Sequence, residues 1–348
     1  MPPAAKPLSL WPPMFAEGAA RLSALLAVFA SRRVLVIGDL MLDEYIWGRV
    51  SRISPEAPVP VVAVTGESYY PGGAANVARN LREFTPHVAL LGTAGNDPAG
   101  ERLLSLLLNS AIDISAVLRT SSPTTVKSRI IARNQQVVRV DRECREPLTA
   151  EQTACAVSHL DRLMPAVDAV IVADYGKGLI AQSLADSICQ SARRHGKILT
   201  VDPHPHTSIA WQSATAIKPN RAEAFLASGL PPSDPVLPVL ADRALLEAGG
   251  RLRRLWNAAS LLITLGEHGM LLLQGEAPPY HIPTCARDVF DVSGAGDTAI
   301  AVLTLALASG STPAEAAQLA NRASGIVVGK LGTATVTPAE MQAEIATP

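Results

Sequence analysis

The sequence is poor in cysteine, and its few cysteines follow no metal-binding or disulfide pattern. The four residues Cys144, Cys155, Cys189 and Cys285 are scattered, with no C-x-x-C pair among them. Zinc sites and disulfide frameworks need regularly spaced cysteines, so the sequence predicts neither. Free thiols of this kind are typical of a reducing compartment, and we expect the protein to be cytoplasmic.

Net charge and long apolar runs are lacking as well. Lys and Arg number 30 against 31 acidic residues, which argues against a nucleic-acid or membrane-surface partner. No run reaches the length of a transmembrane helix. Leu22–Ala30 is apolar but short, and Ser31-Arg32-Arg33 follows where a signal peptide would have small residues, so this segment is predicted as a helix. Residues 1–13 are expected to form a loose tail.

The familiar nucleotide-binding loops are also missing. The segment most similar to a Walker A loop, Gly325–Lys330, is one residue short and lacks the following Ser or Thr. The signature set of the protein kinases and any convincing internal repeat are absent too. A nucleotide would therefore have to be bound by a different architecture.

What the sequence does contain is an alternation of short buried strands and amphipathic helices. An apolar strand at Arg33–Ile37 comes first, and helical patterns such as Ala74–Phe84 and Gln182–His195 separate the later strands. This order predicts an α/β fold with a doubly wound, mostly parallel sheet and helices on both faces. The other predicted strands are residues 88–91, 169–173, 198–201, 214–217 and 261–265.

Two extended stretches interrupt this alternation. Residues 45–64 carry β-prone side chains broken by prolines, which is typical of strands at a sheet edge. Residues 124–141 alternate polar and apolar side chains around a hairpin tip at 133–136. Together they predict a small β-structure set apart from the main body.

The loop Asp291–Thr298 carries the most specific chemistry. Gly294, Ala295 and Gly296 are small residues at a predicted helix N-terminus, where free backbone N–H groups can bind an anion. Asp297 at its edge could take a proton from an attacking hydroxyl, so the loop suits phosphoryl transfer to an alcohol. Two alternatives remain: the dinucleotide pattern G-x-G-x-x-[GA], and an ordinary Gly-rich turn with Asp297 near the N-cap.

Other polar residues follow predicted strands, where ligands bind in parallel sheets. Asp39 and Asp43 follow the first strand and could hold sugar hydroxyls, although Asp43 could equally be a solvated turn residue. Gly72 and Gly73 would let a ligand approach the backbone, and Asn76 adds a donor and an acceptor. A tight contact between helix and sheet would explain the glycines equally well, but it would not require Asn76.

Three further segments follow later strands. Asp174 can bond a hydroxyl or a cation, and Lys177, flanked by glycines, can point at a phosphate. Asn220 and Glu223 share one face of a first helical turn and can hold a hydrated Mg²⁺, although Glu223 could simply complement the helix dipole. A strand–turn–strand segment has glycines where a nucleotide could lie on the backbone; its residues are Thr264, Gly266 and Gly269.

Taken together, these segments resemble the ribokinase, or PfkB, family of sugar kinases. The early signature lies at Gly72–Ala78 and the late one at Asp291–Thr298, and the likeness runs from about Val34 to Thr337. Within the family, the stretches 36–43, 54–61, 71–80 and 174–178 are most similar to kinases of D-glycero-β-D-manno-heptose 7-phosphate. The chain ends at Pro348 without the nucleotidyltransferase domain that many such relatives carry, so we expect the stand-alone kinase form.

The resemblance implies roles for the active-site and nucleotide residues. Asp297 corresponds to the catalytic base, and Gly294, Ala295 and Gly296 to the anion hole. Asn220 and Glu223 correspond to the motif that organises Mg²⁺ and the ATP phosphates. The nucleotide-binding positions are Thr264, Gly266 and Gly269, with Asn321 at the adenine pocket. Asp291 and Ser293 lie where some relatives bind K⁺ through backbone carbonyls.

The resemblance also implies a sugar site, a lid and a dimer. The small β-structure corresponds to the family's lid, with strands at about 44–66 and 120–142, and we expect a homodimer through it. One kinase domain would span residues 31–348, after a tail and helix at 1–30. A longer Gly-Gly loop in many ribokinases indicates that the sugar here is not ribose. The sugar-binding positions are Asp39, Asp43, Gly72, Gly73 and Asn76.

We therefore expect an ATP- and Mg²⁺-dependent kinase, with K⁺ as an optional further ion, that phosphorylates the C1 hydroxyl of the heptose 7-phosphate for lipopolysaccharide biosynthesis. Arg133 at the lid tip, Arg142 and Lys177 are cations that the nucleotide does not need, so they suit the acceptor's phosphate, with Asp174 beside them. Arg133 and Arg142 could instead be solvated lid residues. The alternatives are a kinase of another sugar or sugar phosphate, and a non-catalytic sensor on the same fold.

Overall fold

The computed structural model describes residues 12–133, 135–207, 209–286 and 288–347. Residues 1–11 of the predicted tail and Asn134 of the predicted hairpin tip lie outside the described residues. The strands are β1 (Arg33–Gly38), β2 (Leu40–Ile53), β3 (Pro60–Gly73), β4 (His87–Gly95), β5 (Asp113–Thr120), β6 (Thr125–Ala132), β7 (Gln135–Arg142), β8 (Ala169–Ala173), β9 (Ile198–Asp202), β10 (Ala216–Ile217), β11 (Ser260–Thr264), β12 (Met270–Gln274) and β13 (Tyr280–Ile282). The helices are α1 (Pro12–Val28), α2 (Ala74–Arg82), α3 (Pro98–Asn109), α4 (Ala150–Leu163), α5 (Gln182–Arg194), α6 (Arg221–Ser228), α7 (Arg243–Trp256), α8 (Ala295–Ala308), α9 (Pro313–Val328) and α10 (Pro338–Ala346).

The large sheet has the order β13-β12-β11-β10-β9-β8-β1-β4-β5. Its strands pair in parallel from β5 to β11, whereas β12 and β13 are antiparallel additions at one edge. The predicted α/β fold is confirmed, and the sheet is mixed rather than wholly parallel. The β11–β12 connection is only a short turn, and such a turn can join antiparallel strands but not parallel ones.

Helices cover both faces of this sheet, because the central strands are apolar on both sides. In β1, Val34 and Val36 belong to a core that also contains residues of α1, α2, α8 and α9, whereas Leu35 and Ile37 belong to a second core with residues of α4, α5, α6 and α7. All four side chains are fully buried. Helix α8 is itself buried along nearly its whole length, which explains why it is apolar on every side. The N-terminus of α8 therefore opens directly onto the carboxyl edge of the sheet.

The predicted small, separate β-structure is also confirmed, as a four-stranded sheet of order β3-β2-β6-β7. Strands β2 and β3 are longer than predicted: β2 begins directly after β1, and β3 continues into the start of α2. Pro60 and Pro71 both lie in β3, an edge strand, where the missing N–H leaves no ladder bond unmade. The predicted domain boundary at residue 31 stays a prediction. Among the described helices, none combines the length and the hydrophobicity needed to cross a bilayer.

Candidate active site

Asp297 lies in the first turn of α8, and the backbone before it has a conformation that favours glycine. Gly294 caps the helix with φ 82°. A Cβ at this position would lie 3.0 Å from the amide nitrogen of Asn76, so space as well as conformation requires glycine. The Ala295 N–H bonds to the Val292 carbonyl at 3.3 Å and the Thr298 N–H to the Gly294 carbonyl at 3.0 Å, whereas the N–H groups of Gly296 and Asp297 have no backbone acceptor. The loop is therefore built as an anion site next to a carboxylate.

Two donors hold the Asp297 carboxylate. The Asn76 amide donates to Oδ2 at 2.7 Å, and the Tyr175 hydroxyl donates to Oδ1. Burial raises the pKa of Asp297 to about 6, even though both hydrogen bonds favour its charged form. A carboxylate with that pKa is ionised at neutral pH and can still accept a proton from a hydroxyl.

Tyr175 is a site residue that the sequence analysis missed. It lies in the loop after β8, and the carboxylate of Asp39 fixes that loop by accepting backbone N–H groups from Tyr175 at 2.9 Å, Lys177 at 3.1 Å and Leu179 at 3.2 Å. Asp39 thus organises the loop that presents Tyr175 to the base. The segment 174–178 was recognised in the sequence, but nothing in it indicates that its tyrosine is a partner of Asp297.

Asp174 lies behind this loop. Its carboxylate accepts hydrogen bonds from the Thr207 hydroxyl at 2.6 Å and from the Gly176 N–H at 2.8 Å. Burial raises the pKa of Asp174 to about 6. These contacts place it next to His204, since a Cβ on Gly176 would lie 2.8 Å from Nδ1 of that ring.

A buried ion pair stands beside the anion loop. Lys218 donates to Asp202 at 3.0 Å, and its ammonium lies 3.5 Å from where a Cβ on Gly296 would be. Lys218 is 3 % exposed, and burial raises the pKa of Asp202. This lysine, which the sequence analysis did not single out, brings a positive charge to the N-terminus of α8.

Asn220 and Glu223 form a reciprocal capping box at the start of α6. The Asn220 side chain accepts from the Glu223 N–H at 2.9 Å, and the Asn220 N–H donates to Glu223 Oε2 at 2.7 Å. Burial, followed by the nearby Asp202, raises the pKa of Glu223. The Glu223 carboxylate is half-buried and keeps one oxygen outside the cap, which suits a hydrated cation. The described residues contain no cluster of three metal-binding side chains.

The predicted nucleotide residues do come together. A cleft of about 430 Å³ lies between the β11–β12 turn and the start of α8 and is lined mainly by apolar side chains. The Asn321 amide donates to the Pro283 carbonyl at 2.7 Å and so orders the loop that closes one side. The predicted residues on its wall are Thr264, Gly266, Gly269, Ala295, Gly296 and Asn321.

The small sheet contributes a charged face to the site. Asp43 is paired in register with Lys127, and Tyr45 with Arg129, so the four side chains share one face. Arg129 binds Asp43 at 2.6 Å, and a Cβ on Gly72 would lie 2.5 Å from the Asp43 carboxylate. Asp43 is thus a buried, paired residue and not a solvated turn residue. The alternation of Lys127 and Arg129 along β6 was the signal for these cations, and the sequence analysis missed it.

The three cations predicted for a phosphate lie in different places. Lys177 pairs with Glu143 at 2.8 Å and stays close to the site. Arg133 at the hairpin tip is exposed and donates to the Val50 carbonyl at 3.1 Å. Arg142 pairs in register with Val126, so it lies on the opposite face of the small sheet from Lys127. The structure does not bring Arg133 and Arg142 together with Asp297.

Gly73 completes the geometry at the start of α2. It caps that helix with φ 59°, and the next residue, Ala74, donates to the Asp39 carbonyl at 3.0 Å. This arrangement turns the chain from β3 into α2 so that Asn76 faces Asp297. The two predicted signatures therefore meet at one carboxylate.

The model of the pfkB family carbohydrate kinases matches residues 31–340. The chain belongs to this family. Bifunctional protein HldE from Desulfatibacillum aliphaticivorans is 43% identical over 92% of this chain and 64% of its own length. HldE from Caulobacter vibrioides is 42% identical over 90% of this chain and 64% of its own length. The chain thus spans less than two thirds of these relatives.

Solved structures agree on the fold. Arabidopsis thaliana ribokinase complexed with ribose and ATP has a TM-score of 0.70 at 16% identity, over 91% of this chain and 99% of its own. Phosphofructokinase-2 from Escherichia coli in complex with potassium has a TM-score of 0.72 at 17% identity, over 90% of this chain and 98% of its own length. Family membership confirms the predicted class, that of ATP-dependent carbohydrate kinases, which use ATP and a divalent metal ion.

The contact between Tyr175 and Asp297 yields a prediction about pH. Because Asp297 must be ionised to accept a proton, kcat/KM should fall tenfold per pH unit below its pKa of about 6. Tyr175→Phe removes a donor to the carboxylate and should raise that pKa by about one to two units, so that the fall begins at higher pH. The pH–rate profile measures this shift.

Tyr69→Phe is the matched control, since the Tyr69 hydroxyl bonds Glu67 on the small sheet and not Asp297. Its profile should coincide with that of the wild type. Coincident profiles for wild type and Tyr175→Phe would contradict a role for Tyr175 in setting the pKa of Asp297.

Proposed function

We propose that the chain transfers the γ-phosphoryl group of ATP to the C1 hydroxyl of D-glycero-β-D-manno-heptose 7-phosphate, giving the 1,7-bisphosphate and ADP for lipopolysaccharide biosynthesis. The observation that carries the proposal is the half-buried Asp297 carboxylate between an anion loop and the start of α2, which directly follows Gly72 and Gly73. The motifs at residues 36–43, 54–61, 71–80 and 174–178 support the heptose phosphate, and the similarity to HldE proteins agrees.

In the reaction, Asp297 takes the proton of the sugar hydroxyl as its oxygen attacks the γ-phosphorus. The bond to the bridging oxygen breaks, and ADP leaves with the electron pair. N–H groups at the start of α8 and the ammonium of Lys218 face the charge that develops on the transferred group. The cleft beside Gly266 and Asn321 would hold the nucleotide, and Asp39 and Tyr175 keep the base in place.

A substitution at Asp297 tests whether the protein is a kinase at all. Asp297→Asn keeps the volume but cannot accept the proton, so turnover should fall by orders of magnitude while ATP binding is largely kept. The readout is ADP release with a panel of sugars and sugar phosphates. The heptose 7-phosphate should give the highest kcat/KM of the panel.

Near-normal turnover of Asp297→Asn would contradict the mechanism. A wild type that releases no ADP with any acceptor would favour a sugar or nucleotide sensor instead. Preference for an unphosphorylated sugar would overturn the heptose assignment but keep the kinase.

We propose that the divalent ion is Mg²⁺, held through water by Glu223 with Asn220 as its support. When bound, Mg²⁺ supplies positive charge to the nucleotide phosphates. Glu223→Ala should therefore raise the Mg²⁺ concentration needed for half-maximal activity and leave the KM for the sugar unchanged. A Glu223→Gln variant keeps a side-chain oxygen that can accept the Asn220 N–H bond and removes only the negative charge. It therefore shows whether an effect of Glu223→Ala comes from the lost charge or from the lost capping box. A change in sugar KM alone would contradict this placement.

We propose that Lys177 and Lys127 bind the phosphate that the acceptor already carries. Burial lowers the pKa of Lys127, and the neighbouring Lys177 ammonium lowers it further. Among the described residues Lys127 has no ion pair, whereas Lys177 has Glu143. Two ammonium groups near each other in a half-buried place repel, and an anion between them relieves that repulsion.

Lys127→Ala and Lys177→Ala should each raise the KM for the sugar phosphate about tenfold to a hundredfold or more, and leave the KM for ATP unchanged. Lys197→Ala is the control, since Lys197 bonds the Pro165 carbonyl far from the cleft. An unchanged sugar-phosphate KM in both variants would contradict the proposal that these lysines bind the acceptor's phosphate.

Two minor proposals complete this function. The solved phosphofructokinase-2 contains potassium, and in this chain Asp291 ties the loop before α8 to the Gly332 N–H at 3.1 Å, which supports a K⁺ site at Asp291 and Ser293. Equal turnover in potassium and sodium chloride would contradict this K⁺ site.

The outer face of the small sheet exposes Val138 and Val140, which supports a homodimer through this lid. A molecular mass of a single chain, measured by light scattering, would exclude the homodimer.

A further inference from the structure

Two side chains without an assigned role form a second bridge between α2 and α8. The hydroxyl of Thr298, the residue after Asp297, donates to Oδ1 of Asn80 at 2.7 Å. Asn80 lies one helical turn after Asn76, whose amide donates to Asp297, also at 2.7 Å. The two helices are therefore joined by two side-chain hydrogen bonds one turn apart, and one of these bonds ends on the Asp297 carboxylate.

The second bridge lies in the protein interior. Asn80 and Thr298 are both 0% exposed, and the other buried residues of α2 and α8 are mostly apolar. A buried amide and a buried hydroxyl lose their bonds to water, whereas an apolar pair at the same place would not, so stability alone does not require a polar pair here. A hydrogen bond has a preferred length and direction, and apolar side chains can slide past each other. The polar pair therefore fixes how the two helices are aligned.

The hydrogen-bond pattern leaves each group a single orientation. Nδ2 of Asn80 donates to the Asn76 carbonyl at 2.9 Å, so Oδ1 of Asn80 faces Thr298 and the threonine must donate. The same hydroxyl lies 3.2 Å from the Gly294 carbonyl, which is the longer contact. Asn76 must present its nitrogen to Asp297, because a carboxylate only accepts. The bonds thus run in one direction, from the Thr298 hydroxyl to the Asp297 carboxylate.

The second bridge is attached where the anion loop ends and α8 becomes regular. The Thr298 N–H bonds to the Gly294 carbonyl at 3.0 Å, whereas the N–H groups of Gly296 and Asp297 have no backbone acceptor. With the bond between Asn76 and Asp297 alone, the two helices could pivot about it. A second bond one turn away removes that freedom. The carboxylate and the free N–H groups therefore keep their position relative to α2.

We propose that Asn80 and Thr298 are positioning residues for phosphoryl transfer, which hold the start of α8 against α2 so that Asn76 stays within bonding distance of Asp297. Neither side chain needs to touch a substrate, since both are fully buried. The proposal rests on the proposed function in taking Asp297 as the base, and it does not depend on which sugar is the acceptor.

The ionisation of Asp297 reports on this alignment. Burial raises the pKa of Asp297 to about 6, and the bonds from Asn76 and Tyr175 lower it. The charged groups that face Asp297 are Asp202, which raises the pKa, and Lys218, which lowers it. Tyr175, Asp202 and Lys218 belong to strands of the large sheet or to the residues after them, and only Asn76 comes from α2. Loss of the second bridge should therefore weaken the Asn76 bond and raise the pKa.

Thr298→Val replaces the hydroxyl by a methyl group and leaves Asn80 without its donor. We expect kcat to fall about threefold to tenfold, because Asp297 is no longer held in line with the acceptor. The acid fall of kcat/KM should begin about half a pH unit to one unit higher than in the wild type, because Asn76 stabilises the carboxylate less. Thr298→Ser keeps the donor and should restore the wild-type rate and pH profile.

Thr304→Val is the matched control. Thr304 is an equally buried threonine of α8, two turns after Asp297, and its hydroxyl is hydrogen-bonded to that of Thr200 at 2.6 Å. Both valine variants should have a lower melting temperature, but only Thr298→Val should have a changed pH profile. Identical profiles for the two valine variants would overturn the positioning role, because the Thr298 hydroxyl would then serve folding alone.

A double variant separates stability from positioning. Asn80→Leu combined with Thr298→Val replaces the polar pair by an apolar one, which leaves no buried acceptor unsatisfied and should recover melting temperature. The altered pH profile and the lower kcat should remain, because the directional bond is still missing. Recovery of the wild-type rate and profile together with the melting temperature would contradict the proposal.

The failure of the proposed function is a separate result. If Asp297→Asn keeps normal turnover, Asp297 is not the base. The alignment is then measured without catalysis, by ¹³C NMR titration of protein labelled at the aspartate carboxyl carbons, in which the Asp297 signal is the one absent from Asp297→Asn. A higher pKa of Asp297 in Thr298→Val, but not in Thr304→Val, would support the bridge. An unchanged pKa in Thr298→Val would overturn it.

Discussion

The site depends on partly shielding one ionisable carboxylate from water, since Asp297 is half-buried. A buried carboxylate is expensive unless donors meet it, and Asp297 has two, from Asn76 and Tyr175. The donors come from different parts of the chain, α2 and the loop after β8. The β1–β8 pairing and the turn at Gly73 must both be in place before Asp297 is satisfied. The fold and the chemistry are therefore coupled through this residue.

Other polar side chains near the strand ends form hydrogen bonds and ion pairs within the protein. Asp39 uses its oxygens to hold three backbone N–H groups, and Asp43 holds Arg129. Asn220 and Glu223 cap α6. These bonds hold the loop after β8, the Arg129 side chain and the start of α6 in place without a substrate. Rigid groups lose less entropy on binding, which favours both affinity and catalysis.

Much of this was predictable from local pattern. Buried strands and helices have periods of their own, so the strand Ala169–Ala173 was predicted with the bounds that the structure has, and the residues after strands converge because parallel strands end at one edge. The partners across space were not predictable. Arg142 lies on the wrong face for the cleft because its register with Val126 is set by sheet pairing. Tyr175 acts through Asp297, which is 122 residues away in sequence, and Lys218 through Asp202 at the end of the neighbouring strand, and no local pattern reveals such partners.

Charges of both signs surround the site, and under the proposed function they select the substrate. Lys218 lies beside the N-terminus of α8, Asp43 and Asp291 lie near Tyr45, and Lys127 and Lys177 lie near each other. A sugar phosphate fits these charges, whereas a neutral sugar would leave Lys127 without an ion-pair partner, since Lys177 already pairs with Glu143. If the proposed function holds, these carboxylates would also repel a second phosphate and so favour one direction of entry for the sugar phosphate.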